Sequence, residues 1–170
     1  TVGLFTEIAK FLYPVEAIED AFLNAQHESI WTLITIEGTA EGRDDWLHKT
    51  WKDIVAKQER GLTSFVARFY PWCLRDDIKP TETWIRGRAE AFELFVPSTE
   101  TLRHAHKIEQ FIKSDSELRI ELPNYKLSRE KMFWYETEKN AAEEKGQLQN
   151  FLKEQPSDPE EAFQHAGQSI

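Results

Sequence analysis

Two stretches near the start of the chain carry side chains suited to phosphate chemistry. Glu7 follows Val2 to Phe5, a short apolar β-prone run, and Thr6 sits beside it. A carboxylate at the carboxyl end of a strand is placed to orient and polarise an attacking water. Further on, Glu37-Gly-Thr-Ala-Glu-Gly42 brackets Thr39 between Gly38 and Gly42. The hydroxyl of Thr39 could sense a terminal phosphate, and the two glycines let backbone approach a ligand. Each stretch also has a plainer reading, a surface Glu at a strand end and a tight strand-to-helix turn. The phosphate-cradling pattern G-x-x-x-x-G-K-[ST] is absent, so the chain by itself is not expected to hydrolyse ATP.

Other reactive-looking residues read as structural. His104 and His106 are two apart and point about 200° apart around a helix, whereas a zinc pair needs i, i+4; solvated or partly packed rings are expected. Ser128-Arg-Glu-Lys131 matches S-x-x-K without a companion motif, and Ser128 is a good helix cap. Phe133-Trp-Tyr135 reads as core packing rather than base stacking, and Arg86 with Arg88 as partners of local acids.

The elements that would position these residues follow from the apolar spacing. Val2 to Phe5 and the run Ile30 to Ile36 read as strands, the second covered on both faces because it does not alternate. Between them Pro14 opens a helix with Val15, Ile18, Phe22 and Ala25 on one face. Leu47, Trp51, Ile54 and Val55 define a helix to about Lys57, which Gly61 stops, and Leu62 to Tyr70 reads as a third strand. The order β-α-β-α-β implies a partial parallel sheet.

Beyond Pro71 the prolines suggest a mobile middle in which Thr83 to Phe95 is helical. Ser98 caps a helix with Leu102, Ala105, Ile108, Phe111 and Ile112 inward, and Glu117 to Leu122 alternates as a short strand. Ser128 caps a helix to about Glu143, Gly146 breaks it, and a shorter one reaches Lys153. Gln155 to Phe163 looks like a boundary, with Asp158 capping a helix that Pro159 opens. The expected division is 1–75, α/β, and 76–170, mainly helical.

The chain has 170 residues, with six Trp, eleven Phe and a net charge of −9 from 30 acidic against 21 basic residues. Splitting at Arg75 leaves −3 before (8 basic, 11 acidic) and −6 after (13 basic, 19 acidic). Neither half has the clustered cations of an autonomous nucleic-acid binder. The lone Cys73 rules out an internal disulfide and suits a reducing cytoplasm, and no apolar run approaches the ~20 residues that span a bilayer. The missing initial Met suggests an excised piece of something longer.

In order and spacing these motifs resemble the large subunit of tailed-bacteriophage terminases, the ATP-driven motors that package DNA. Leu4-Phe-Thr-Glu-Ile-Ala-Lys-Phe11 is similar to the family's Walker B region. Ile36-Glu-Gly-Thr-Ala-Glu-Gly42 is similar to its coupling motif, with Gly38 replacing the usual Ser and Glu41 the usual Asn. Trp51, Phe69 and Pro71-Trp72 resemble the segment that follows, Leu127 to Trp134 the linker helix, and Pro156 to Phe163 the P-x-x-x-E-E-A-F signature before the nuclease; Thr83 to Leu122 matches little.

The resemblance implies the second half of a P-loop ATPase core followed by a mainly helical linker subdomain. It gives Glu7 the catalytic position with Thr6 flanking it, and makes Thr39, Gly38 and Gly42 the phosphate-sensing and coupling residues. The intact protein would use ATP and magnesium and engage double-stranded DNA, the portal protein and the small terminase subunit in the bacterial host cytoplasm. The fragment alone would hold no cofactor, turn over no ATP, touch no membrane and bind DNA weakly. The alternative is a non-enzymatic acidic domain for protein–protein interaction.

Overall fold

The structure is a computed structural model that describes residues 2–5, 33–38, 45–75 and 80–166. Two compact units divide at Ala67 and Arg68, the second ending at His165.

In the first unit, β1 (Val2–Phe5) and β2 (Leu33–Ile36) pair in parallel, with Val2 opposite Leu33 and Phe5 opposite Ile36. Helix α1 (Trp46–Glu59) starts where the Asp45 carboxylate accepts the His48 N–H at 2.7 Å, satisfying a donor that the first turn leaves open. Its apolar stripe of Leu47, Trp51, Ile54 and Val55 is half-buried, and His48 beside it is buried. The helix ends at Gly61, whose φ of 65° lets its N–H reach Gln58 O at 3.0 Å while the Leu62 N–H reaches Lys57 O at 2.8 Å. A Cβ at Gly61 would meet nothing within 4 Å, so Gly61→Ala carries a backbone penalty alone. The expected loss is about 1 kcal/mol, read as a lower urea midpoint of the far-ultraviolet helical signal.

The expected third strand does not form. Leu62 to Tyr70 forms neither strand nor helix and bends at Ser64, and Thr63, Phe65, Ala67 and Phe69 are half-buried while the residues between them are exposed. A strand is defined by a ladder of backbone bonds to a neighbour. Here the Phe65 N–H goes to Thr63 Oγ1 and the Ala67 N–H to Gln58 Oε1, each at 3.1 Å. The partial parallel sheet of a P-loop ATPase core is therefore overturned as the fold class. The described residues are mainly helical, and the strands among them are the four-residue β1 and β2. The expected Pro14 to Ala25 helix, the first part of the Ile30 to Ile36 run and the Thr39 to Gly42 turn lie outside the described residues.

The second unit contains seven helices among the described residues: α2 (Glu82–Arg86), α3 (Ala89–Leu94), α4 (Thr99–Ser114), α5 (Leu118–Glu121), α6 (Arg129–Glu144), α7 (Leu148–Glu154) and α8 (Pro159–Ala166). The single helix expected over Thr83 to Phe95 is broken at Gly87-Arg88 into α2 and α3. Arg86 pairs with Glu82 at 3.3 Å, whereas Arg88 lies over the Trp84 ring at 4.2 Å.

Helix α4 is no part of a mobile connection, because its inner face forms the core. Thr101, Ala105, Ile108 and Ile112 are buried at i, i+4, i+7 and i+11. The expected stripe began at Leu102, which is 53% exposed. Thr101 takes the inward place because its hydroxyl donates to Glu136, so the buried oxygen is satisfied. Helix α5 replaces the expected strand at Glu117 to Leu122. The Asp115 carboxylate accepts the N–H groups of Glu117 and Leu118 at 3.0 and 2.9 Å and fixes a helical turn. Leu118 is then buried and Ile120 is 74% exposed, which the alternating pattern could not give.

Helix α6 is apolar on two sides. Phe133 packs against Trp84, Phe92 and Phe95 at centroid distances of 5.4, 5.3 and 5.0 Å, while Tyr135 faces Trp72, His104 and Phe151. Gly146, at φ 68°, separates α6 from α7. The central cluster joins Trp72, Cys73, Ala105, Ile108, Ile112, Leu118, Leu127 and Tyr135.

Candidate functional site

Sequence-distant segments of the second unit meet at one residue, Trp72. After Pro71, Trp72 to Leu74 form a single 3-10 turn in which Trp72 and Cys73 are fully buried. The Trp72 N–H donates to Pro156 O at 3.3 Å, and the indole Nε1–H donates to His104 Nε2 at 2.9 Å. Tyr135 stacks on the indole at 5.2 Å and on the His104 ring at 4.1 Å, and Trp134 lies 5.3 Å from the indole. These contacts link the turn to α4, to α6 and to the segment that leads into α8.

The electrostatics make this a packed joint and not an acid–base centre. Burial holds His104 down to about 4, against the pull of Glu161 and Glu100 and with the push of Lys107 and Lys139. Its ring is neutral at pH 7, and with Nε2 accepting from Trp72 the proton sits on Nδ1. Burial likewise raises the Tyr135 phenol far above its usual range. The Cys73 thiol is pushed up by burial, so it is no thiolate nucleophile at neutral pH. Lys131 Nζ donates to the Cys73 carbonyl, and the Tyr125 hydroxyl is enclosed against the Cys73 side chain, burial and that contact raising its pKa.

The segment before α8 is the other half of the joint rather than a boundary. Ser157 is fully buried, and its N–H and Oγ both donate to one carboxylate oxygen of Glu161, the N–H at 2.6 Å. The Asp158 carboxylate caps α8 through the Glu161 N–H at 2.7 Å and also pairs with Lys107 at 2.9 Å. Burial acts to lower the Lys107 ammonium, but Asp158 and Glu161 outweigh it and hold the pKa above its ordinary value. Ala162 and Phe163 are buried behind them. Pro156 to Phe163 is thus a cap and an anchor.

Of the residues singled out for phosphate chemistry, Gly38 alone is among the described residues. Glu7, Thr6, Thr39 and Gly42 lie outside the described residues, and Gly38 is exposed just past β2. His106 is exposed on α4, 3.5 Å from Gln110. Ser128 caps α6 by accepting the Lys131 N–H at 3.3 Å, and the Lys131 ammonium turns to the Cys73 carbonyl, so the S-x-x-K spacing assembles no nucleophile. Ser128→Ala should cost about 1 kcal/mol through the lost cap, measured as a lower urea midpoint.

Sequence reading alone did not find the His104–Trp72 bond or the Ser157–Glu161–Lys107 cluster. A signal for the second existed, since Glu161 stands three residues after Asp158, the spacing of a carboxylate that reaches back over a helix start. Among the described residues no three His, Cys, Asp or Glu side chains gather as metal ligands, and no helix is long and apolar enough to cross a membrane. Compared with family models, curated proteins and solved structures, the chain gives no match.

Proposed function

We propose that the chain is a segment of a viral or prophage DNA-packaging motor of the terminase large-subunit type, with Arg68 to His165 as the subdomain that links hydrolysis to movement. The observation that supports this reading is the meeting at Trp72 of stretches that carry the resemblance independently. Pro71-Trp72 bonds to Pro156 of the P-x-x-x-E-E-A-F stretch, and Trp134, the last residue of the linker-like segment, packs on the indole beside Tyr135, which follows it. Motifs that lie far apart in sequence form one rigid joint, as a part that transmits force requires.

In the intact motor Glu7 would orient the attacking water and Thr39, between Gly38 and Gly42, would report phosphate status. ATP and magnesium would be held largely by a loop this chain lacks. Double-stranded DNA, the portal protein and the small subunit would be the partners, and the host cytoplasm the compartment. The 170-residue chain is expected to turn over no ATP with or without duplex DNA. A coupled phosphate-release assay checks this, and turnover abolished by Glu7→Gln contradicts the inactive-fragment reading. In the uninterrupted reading frame, Glu7→Gln is expected to abolish ATP-dependent protection of DNA from nuclease in a packaging reaction.

A further inference from the structure

The stretch of chain between helix α1 and the Trp72 turn leaves its backbone almost unused. From Thr63 to Tyr70 the Phe65 and Ala67 N–H groups donate to the side chains of Thr63 and Gln58, and among the described residues no other backbone N–H or C=O of this stretch makes a hydrogen bond. Burial alternates from Leu62 to Tyr70 with the period of two that puts successive side chains on opposite faces. That period also sends the N–H and C=O of alternate residues to opposite edges. Phe65 and Ala67, whose N–H groups are satisfied, share one edge. Ser64, Val66, Arg68 and Tyr70 share the other, and its backbone donors and acceptors are open.

Proteins blunt an open edge with Lys, Pro or inward charges. Leu62 to Tyr70 holds no Lys, no Pro and no acid, and its one charge, Arg68, pairs with Glu117. The exposed face carries a second feature. Leu62, Val66 and Tyr70 are more than half exposed, and they stand at i, i+4 and i+8, symmetric about Val66.

We propose that two copies of the chain pair along this edge as antiparallel strands, related by a two-fold axis through Val66. Val66 then faces Val66 of the second copy and Ser64 faces Arg68, the pairs that exchange backbone bonds. The bend at Ser64 ends the ladder, and beyond it Leu62 and Tyr70 meet through their side chains. In this register apolar meets apolar and the cation meets a hydroxyl. An axis at Ala67 would set Val66 against Arg68, and an axis at Arg68 would set two cations together. A row of open N–H and C=O groups takes a peptide strand. Among strands, a second copy of this stretch supplies the matching order of side chains on the same edge. The pairing closes at two copies, because the N–H groups of the other edge are already taken.

Sedimentation equilibrium of the full 170-residue chain tests this pairing. The parent should show a reversible monomer–dimer equilibrium. Val66→Lys and Val66→Glu, each alone, should weaken the dimer about tenfold, because like charges then oppose each other across the axis. An equimolar mixture of the two should recover it. Both variants should keep the parent's helical circular dichroism, since Val66 is exposed. Under mild oxidation Val66→Cys should link copies into covalent dimers, whereas Ser64→Cys should link only when mixed with Arg68→Cys, and the buried Cys73 of the parent should not link at all. The proposal is overturned by a parent that stays monomeric, whether or not it takes up an added strand peptide, by a dimer that Val66→Lys leaves intact, by a mixture no more dimeric than its components, or by Ser64→Cys linking to itself as readily as Val66→Cys.

Discussion

Trp72→Ala is expected to unfold the helical unit or bring it to the edge of unfolding. Removing a fully buried indole costs about 3 to 5 kcal/mol through lost burial and the cavity left behind, a large part of the 5 to 15 kcal/mol that holds a typical domain together. Here the loss compounds. The indole is the surface on which Tyr135 and Trp134 pack, and its Nε1–H is the donor for His104 Nε2. Trp72→Phe keeps a ring in the site and removes the donor together with part of the indole's volume. Stranding the enclosed His104 acceptor should cost roughly 1 to 3 kcal/mol. Urea titration followed by far-ultraviolet circular dichroism reads both, and the expected order of midpoints is parent, Trp72→Phe, Trp72→Ala. An unchanged midpoint for Trp72→Ala would mean that Trp72 is not the centre of the joint.

The second large effect is acid destabilisation centred on His104. Its folded pKa is held down to about 4, whereas in the unfolded chain it returns toward 6.5. Above pH 6.5 the ring is neutral in both states and imposes no penalty. Between 6.5 and 4 the unfolded state binds the proton and the folded state does not, so stability falls as pH falls. Below 4 the full loss, on the order of 3 kcal/mol, is present. Protonation also removes the Nε2 lone pair that accepts from Trp72. Glu100 acts in the same direction at the lower end, because Lys139 holds its carboxyl below the ordinary carboxylate value. His104→Gln offers an uncharged side chain with an acceptor. The difference in unfolding free energy between pH 7 and pH 5 should shrink in that variant, and an identical pH dependence would remove His104 as its cause.

The local chemistry of this chain was readable from its sequence. Ser98, Ser128 and Asp158 cap helices as expected, since a cap needs only a side-chain oxygen and an N–H three residues on. Gly61 and Gly146 stop helices because a positive φ is cheap only for glycine. Pairing was not readable. Leu62 to Tyr70 has the composition and even the alternating burial of a strand, but a ladder needs a neighbour that composition does not supply. At Glu117 to Leu122 the apolar alternation lost to one upstream carboxylate, that of Asp115.

The joint itself was visible only in pieces. Pro71-Trp72, Phe133-Trp-Tyr135 and Pro156 to Phe163 each drew attention separately, the second as core. Their union depends on bonds between Trp72 and His104, 32 positions apart, and between Trp72 and Pro156, and no periodicity within one element encodes such a bond. Thr101 in place of Leu102 on the inner face of α4 has the same origin, because its oxygen is satisfied by Glu136 from another helix.

The motor reading is tested most directly by sequencing the coding DNA on both sides of the segment for Thr1 to Ile170. The account predicts one continuous reading frame with G-x-x-x-x-G-K-[ST] upstream and a carboxylate-rich, nuclease-like region downstream. A start codon directly before Thr1 and a stop codon directly after Ile170 would contradict it, and the chain would then be read as an interaction domain.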